Sequence, residues 1–81
     1  MDDKIKRLEE LVKQGDADAM TRLGFMYDSG QGVPQNFEKA KELYEQAANL
    51  GNAGAMNNLG TMYYFGQGVP RDYSKAKEWF E

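Results

Sequence analysis

Cysteine and histidine are both absent from this chain of 81 residues. Their absence excludes thiol catalysis, disulfide bonds, zinc fingers and imidazole general-base chemistry. The serine hydroxyls have no histidine to activate them, and helix starts and solvated faces account for the carboxylate pairs. We therefore expect a protein that is not an enzyme and that has no catalytic residues, no cofactor site and no metal site.

Long apolar runs are absent as well, and the excess of charge is small. No stretch approaches the roughly 20 apolar residues that span a bilayer, so we expect no membrane insertion. The net charge is only −3 at pH 7. Because nucleic-acid binding rests on neutralising phosphates, we expect no nucleic-acid partner. The first residues, Met1 to Lys4, lack the order of a signal peptide, and nothing in the chain assigns a localisation.

An internal repeat with an offset of 36 residues organises the chain. Residues 15–45 and 51–81 are identical at 18 of 31 positions, among them the run Gly-Gln-Gly-Val-Pro. At the same offset, Leu8 lies opposite Tyr44. The pattern predicts one domain made of three parts. These are a half-repeat helix at 1–14, a first repeat at 15–50 and a C-terminally truncated second repeat at 51–81.

Each repeat carries two stretches with helical spacing of apolar residues, such as Met20, Leu23 and Tyr27. No stretch alternates apolar and polar residues, so strands are not expected. Four residues are suited to N-cap these helices, namely Asp16, Asn36, Asn52 and Asp72. The predicted helices cover residues 3–14, 16–29, 36–50, 52–65 and 72–81. Neither helix of a repeat can bury its apolar stripe alone, so the repeats must stack.

Two glycines stand inside predicted helices, where each costs about 1 kcal/mol relative to alanine. They are Gly24 and Gly60, which occupy the same place in the two repeats. We expect a neighbouring helix to approach so closely there that a Cβ has no room.

The repeat resembles the Sel-one-like repeat (SLR) family, which is related to tetratricopeptide repeats. The resemblance rests on Leu23-Gly24 followed by Tyr27, on the loop Gly30 to Pro34, on Lys39-Ala40, and on the period of 36 residues. It implies an all-α fold, an α-solenoid or superhelix of antiparallel helix pairs. It also implies a scaffold for protein–protein contact, with the first helices of the repeats lining its concave side.

Positions at which the two repeats differ can carry specificity, because the fold does not require the same residue twice. On the expected concave side, Asn57 and Asn58 each offer donors and an acceptor to a peptide backbone. Phe25, Tyr64 and Phe65 are of the aromatic type that anchors interfaces; packing against the adjacent helix is the alternative for Phe25 and Phe65. The predicted partner-binding residues are Arg22, Phe25, Asn57, Asn58, Thr61, Tyr64 and Phe65.

Three functions remain open at this point. The first is a non-catalytic scaffold or adaptor that binds a peptide or protein segment on its concave face. The second is a self-assembling repeat fragment, a homo-oligomer joined through uncapped ends, since Trp79 and Phe80 are expected to lack part of their cover. The third, a β-lactam-binding or β-lactam-hydrolysing protein, follows from one cysteine-rich subgroup of the resembled family. The absence of cysteine and of a nucleophile–base pair argues against the third function.

Overall fold

The computed structural model describes residues 3–81, and this part of the chain forms five α-helices and no strand. The helices are α1 Asp3–Lys13, α2 Ala17–Ser29, α3 Phe37–Asn49, α4 Ala53–Phe65 and α5 Tyr73–Phe80. The all-α prediction is confirmed. Most of the predicted helix ends lie one residue outside the observed ones. The residues at these positions act as caps and not as helical residues. None of the described helices is both long enough and apolar enough to cross a bilayer.

Capping residues decide where the helices begin. The four predicted N-caps accept a hydrogen bond from the backbone N–H three residues later. The pairs are Asp16 with Ala19, Asn36 with Lys39, Asn52 with Ala55, and Asp72 with Lys75. Each bond satisfies one of the backbone donors that a helix start leaves unpaired.

Glycines end the first helix of each repeat. Gly30 and Gly66 have φ values of 71° and 72°, in the left-handed region that only glycine adopts without a Cβ penalty. Their backbone N–H groups donate to the carbonyl oxygens of Met26 and Met62. The chain reverses after each of these caps, so α2 pairs with α3 and α4 pairs with α5.

Extensive packing in the described chain joins helices that are consecutive in sequence. The second helix of the first repeat, α3, packs against α2 on one side and α4 on the other. Its Tyr44 is fully buried, as are Leu59 and Met62 of α4. Each apolar stripe is therefore covered by its neighbours along the chain, which is the arrangement expected for stacked repeats.

Close approach explains the two helical glycines. A Cβ placed on Gly24 would lie 2.8 Å from the Cε1 atom of Tyr44, and one on Gly60 would lie 2.5 Å from Cε1 of Phe80. The prediction of a close neighbour is confirmed. The neighbour that makes the closest approach is an aromatic side chain of the paired helix, and not its backbone.

The two repeats differ in how well their second helices are covered. Phe37 of α3 is half-buried, and a Cβ at Gly68 would overlap its Cβ, so the loop after α4 packs against the base of this side chain. The equivalent Tyr73 of α5 is 56% exposed, and Phe80 is 51% exposed. The aromatic side chains of α5 thus form an exposed apolar surface, whereas the equivalent residues of α3 are covered by neighbouring segments.

Candidate protein-binding surface

A groove of about 460 Å³ lies against α2 and reaches α1 on one side and α4 on the other. We call it the α2 groove and define it by its eight lining residues: Lys4, Leu8, Thr21, Arg22, Phe25, Met26, Gln31 and Asn58. Its volume falls in the range of about 300–1,000 Å³ that is typical of ligand sites. The groove is therefore large enough to receive several side chains of a partner.

The apolar part of the α2 groove comes from two helices. Leu8 of α1 and Met26 of α2 are 7% and 9% exposed, so the core itself contributes to the lining. Phe25 is 50% exposed, although it is a large apolar side chain. Because exposed aromatic rings lose contact with water on binding, Phe25 offers a partner much of the apolar area available in this groove.

Amide and hydroxyl groups form the polar part. The Thr21 hydroxyl donates to the Ala17 carbonyl oxygen at 3.0 Å, so its proton is already used within the helix. The Asn58 side-chain amide is half-buried and forms no hydrogen bond within residues 3–81. A side-chain amide has two donor hydrogens and an acceptor oxygen, so Asn58 can bond to the backbone of a bound peptide.

The first helix of the first repeat is charged, whereas that of the second repeat has no charged residue. Arg22 is the only basic residue in α2 and α4. The acidic residues of these helices have partners: Asp18 accepts from the Asn52 amide at 2.9 Å, and Asp28 accepts from the Tyr44 hydroxyl at 3.2 Å. Arg22 forms no ion pair with a carboxylate of the described chain.

The bond between Tyr44 and Asp28 is maintained by the protonation of Tyr44. Burial raises the pKa of the Tyr44 phenol above its usual range, and the charge of the Asp28 carboxylate and the hydrogen bond to it raise this pKa further. The phenol therefore stays protonated and donates to Asp28. This contact joins the two helices of the first repeat near the C-terminal end of α2.

The predicted partner-binding residues are divided between two places. Arg22, Phe25 and Asn58 line the α2 groove. Tyr64 lines a second depression of about 360 Å³, which we call the α5 groove. The α5 groove is lined by Tyr64, Tyr73, Ala76, Lys77, Phe80 and Glu81.

The other three predicted residues line neither groove. Phe65 is 64% exposed and packs edge-on against Tyr64, with ring centroids 5.0 Å apart. Asn57 is exposed, and its backbone carbonyl accepts from the hydroxyl of Thr61 at 3.0 Å. These two lie one turn apart on α4. A role of these residues in binding stays a prediction.

Five residues of the α2 groove are absent from the predicted partner-binding set, namely Lys4, Leu8, Thr21, Met26 and Gln31. Leu8 and Met26 are core residues that also reach the groove, and Gln31 belongs to the repeated turn. Lys4 did have a signal in the sequence. The offset of 36 residues places it opposite Ala40, which is fully buried, so a lysine at this position departs from what the fold requires.

Comparison with known proteins agrees with this architecture. The family model for the Sel1 repeat matches residues 17–52 and 53–81. Comparison with curated protein sequences finds no match. Sel1 repeats generally mediate protein interactions, and their helical fold is typically a non-catalytic scaffold.

Two solved structures are similar to the chain. A Sel1 repeat protein from Oxalobacter formigenes is 38% identical, with a TM-score of 0.79 over 82% of this chain and 27% of that protein. A protective antigen present in uropathogenic Escherichia coli strains, which displays an SLR fold, is 32% identical. Its TM-score is 0.89 over 93% of this chain and 16% of the antigen. The chain thus spans about a quarter or less of each of these proteins. By its two matched repeats and its stacked helix pairs, it belongs to the Sel1 repeat family.

Proposed function

We propose that this chain is a non-catalytic interaction module that binds a peptide or protein segment in the α2 groove. The observation that carries this proposal is the composition of the groove. It combines an exposed phenylalanine, Phe25, with an amide, Asn58, that has no protein partner within residues 3–81. An apolar contact provides affinity, and a polar group at its edge orients the bound chain.

The test is a selection of random octapeptides displayed on phage against the immobilised chain. We expect the selected peptides to bind the unmodified protein and to bind Phe25→Ala and Asn58→Ala more weakly. Truncating an interface aromatic of this kind typically costs about 1–2 kcal/mol or more, which is about 5-fold to 30-fold in affinity. Circular dichroism of each variant should remain helical, since both positions lie at the surface of the groove.

A matched control is Glu42→Ala, which changes an exposed residue of α3 outside both grooves. It should bind the selected peptides as the unmodified chain does. If no peptide is selected, or if the selected peptides bind Phe25→Ala and Asn58→Ala with unchanged affinity, the α2 groove is not the binding site. Asn57→Ala and Tyr64→Ala, tested beside them, report whether the binding surface extends along α4.

A second candidate function is self-association through the α5 groove. The observation that favours it is the clustering of exposed aromatic side chains there, with Tyr64 and Tyr73 ring centroids 5.1 Å apart and Phe80 51% exposed. Exposed apolar patches of this kind mark contact sites. Light scattering over a concentration series should show a mass that rises with concentration and that falls back in Tyr73→Lys. A constant monomer mass at high concentration contradicts this candidate.

A further inference from the structure

The charged residues that line the α2 groove are of one sign. Its lining contains two basic residues, Lys4 and Arg22, and no carboxylate. This is unusual for a chain whose net charge is −3. Because a concave site with low-dielectric walls strengthens the field of the charges that line it, such a groove favours an anionic partner.

The acidic residues that share a depression with Arg22 form no ion pair with it in the described chain. Asp16 accepts from the Ala19 backbone N–H at 3.0 Å, and Asp18 accepts from the Asn52 amide at 2.9 Å. Both carboxylates line a smaller depression that also includes Arg22, yet neither forms an ion pair with it in the described structure. The guanidinium of Arg22 therefore keeps its donors for another acceptor.

Comparison of the repeats shows that the fold does not require these charges. At the offset of 36 residues, Arg22 corresponds to Asn58 and Lys4 corresponds to Ala40, and neither of these is charged. The helices α2 and α4 nevertheless have the same length, and their N-caps and glycine C-caps have equivalent geometry. Arg22, a basic residue that stacking does not need, is available for recognition.

The apolar lining lies directly beside the charge. Phe25 and Met26 follow Arg22 by three and four residues, so they lie on the same face of α2. Leu8 closes the same side of the groove from α1. If a bound peptide places an apolar side chain against Phe25, the next residue of that peptide comes close to the Arg22 guanidinium.

We propose, on the basis of the proposed function, that the partner of the α2 groove is an acidic peptide segment with an apolar side chain. The apolar side chain packs on Phe25 and Met26, and an adjacent Asp or Glu carboxylate accepts hydrogen bonds from Arg22. Arginine suits this role because its planar guanidinium binds a carboxylate through two parallel hydrogen bonds.

The same phage selection tests this inference through the composition of the peptides it yields. We expect peptides enriched in Asp or Glu next to Leu, Ile or Phe. A synthetic peptide of a selected sequence should bind Arg22→Gln about 10-fold more weakly or worse, since a charge-assisted pair is lost. Its affinity should also fall as salt is raised, because salt screens exposed charges.

Charge reversal provides a readout that a merely structural role of Arg22 would not give. Selection against Arg22→Glu should yield peptides enriched in Lys or Arg. The matched control is Lys13→Gln, which removes an exposed positive charge of α1 outside the α2 groove and should leave affinity unchanged.

The outcomes separate this inference from the proposed function. Neutral or basic peptides that bind Phe25→Ala weakly but bind Arg22→Gln normally would overturn the acidic partner and keep the groove as a binding site. Acidic peptides that lose affinity equally in Lys13→Gln and Arg22→Gln would also overturn it, because the attraction would then be nonspecific. If no selected peptide responds to any change in the groove, both proposals fail.

Discussion

The hydroxyl of Tyr44 on α3 donates a hydrogen bond of 3.2 Å to the carboxylate of Asp28 on α2. In the second repeat the equivalent positions hold Phe80 and Tyr64, so this contact has no counterpart there. In the first repeat, the two helices are thus joined by a hydrogen bond from a tyrosine whose ring is fully buried. In the second repeat, the two aromatic residues at these positions are both about half exposed.

Removing the Tyr44 hydroxyl should weaken the first repeat and leave its packing intact. We expect Tyr44→Phe to lower the free energy of unfolding by about 0.5–1.5 kcal/mol, the usual net contribution of one hydrogen bond. Urea unfolding followed by circular dichroism measures this change. Phe80→Tyr is the matched control, since the position equivalent to Asp28 holds Tyr64 and no carboxylate, and the half-exposed hydroxyl should add little stability. Equal stability of Tyr44→Phe and the unmodified chain would contradict the role of this bond.

The same hydroxyl should make stability depend on pH in the alkaline range. The pKa of Tyr44 is raised in the folded state, whereas a phenol in the unfolded chain has a pKa of about 10. Above that pH the unfolded chain has released a proton that the folded chain retains, so unfolding becomes more favourable as pH rises. The contribution is complete below pH about 10 and is lost as pH rises toward the folded pKa. Measured from pH 9 upward, the unmodified chain should lose stability more steeply than Tyr44→Phe; parallel curves would refute this expectation.

Alanine at the two helical glycines should have different consequences. Alanine favours a helix by about 1 kcal/mol over glycine, but overpacking of a core costs about 1–3 kcal/mol. The ring that blocks a Cβ on Gly24 belongs to Tyr44, which is fully buried and held by Asp28. The ring that blocks Gly60 belongs to Phe80, which is 51% exposed and can turn into solvent.

We therefore expect Gly24→Ala to destabilise the chain and Gly60→Ala to be close to neutral. Thermal unfolding of the two variants side by side gives the comparison. A larger loss in Gly60→Ala than in Gly24→Ala would show that the C-terminal ring is fixed as firmly as the buried one.

Asn52 has two roles that one substitution can separate. Its Oδ1 accepts from the Ala55 backbone N–H at 2.9 Å, and its Nδ2 donates to Asp18 at 2.9 Å. Asn52→Asp keeps the cap but replaces the donor by a second carboxylate facing Asp18. We expect it to destabilise the chain by about 1 kcal/mol or more, less at high salt, because like charges repel and salt screens them.

Asn36→Asp is the matched control, because Asn36 caps α3 and is not bonded to another side chain among the described contacts. Asparagine and aspartate cap about equally well, so its stability should change little. Adding Asp18→Asn to Asn52→Asp should restore the bond with donor and acceptor exchanged. Additive losses in this double variant would contradict a direct interaction between the two residues.

Local chemistry made the helices predictable. Asp16 and Asn52 precede apolar residues at helical spacing, so the starts of α2 and α4 could be predicted from them. Gly30 stands where a left-handed cap is needed, so it predicted the end of α2. The offset between repeats also exposed the unusual Gly24 and Gly60. The offset could not predict that the Tyr44 ring lies against Gly24, since this contact depends on how α2 and α3 are rotated against each other.

The binding surface was harder to predict for a related reason. The face of α2 follows from its own periodicity, which is why Arg22 and Phe25 were found together. The groove, however, also includes Lys4 and Gln31, which belong to a different helix and a loop. Only packing brings these segments together, so a pattern within one helix contains no information on them.

The sequential order of the helix contacts has a kinetic consequence. Since extensive packing joins only successive helices in the described chain, folding closes no long loop, and such topologies fold rapidly. Amide hydrogens of α2, α3 and α4, which have neighbours on both sides, should exchange with solvent slowest. Those of α1 and α5, which each pack extensively against a single helix in the described chain, should exchange faster, so either outer helix can open while the central three keep their form.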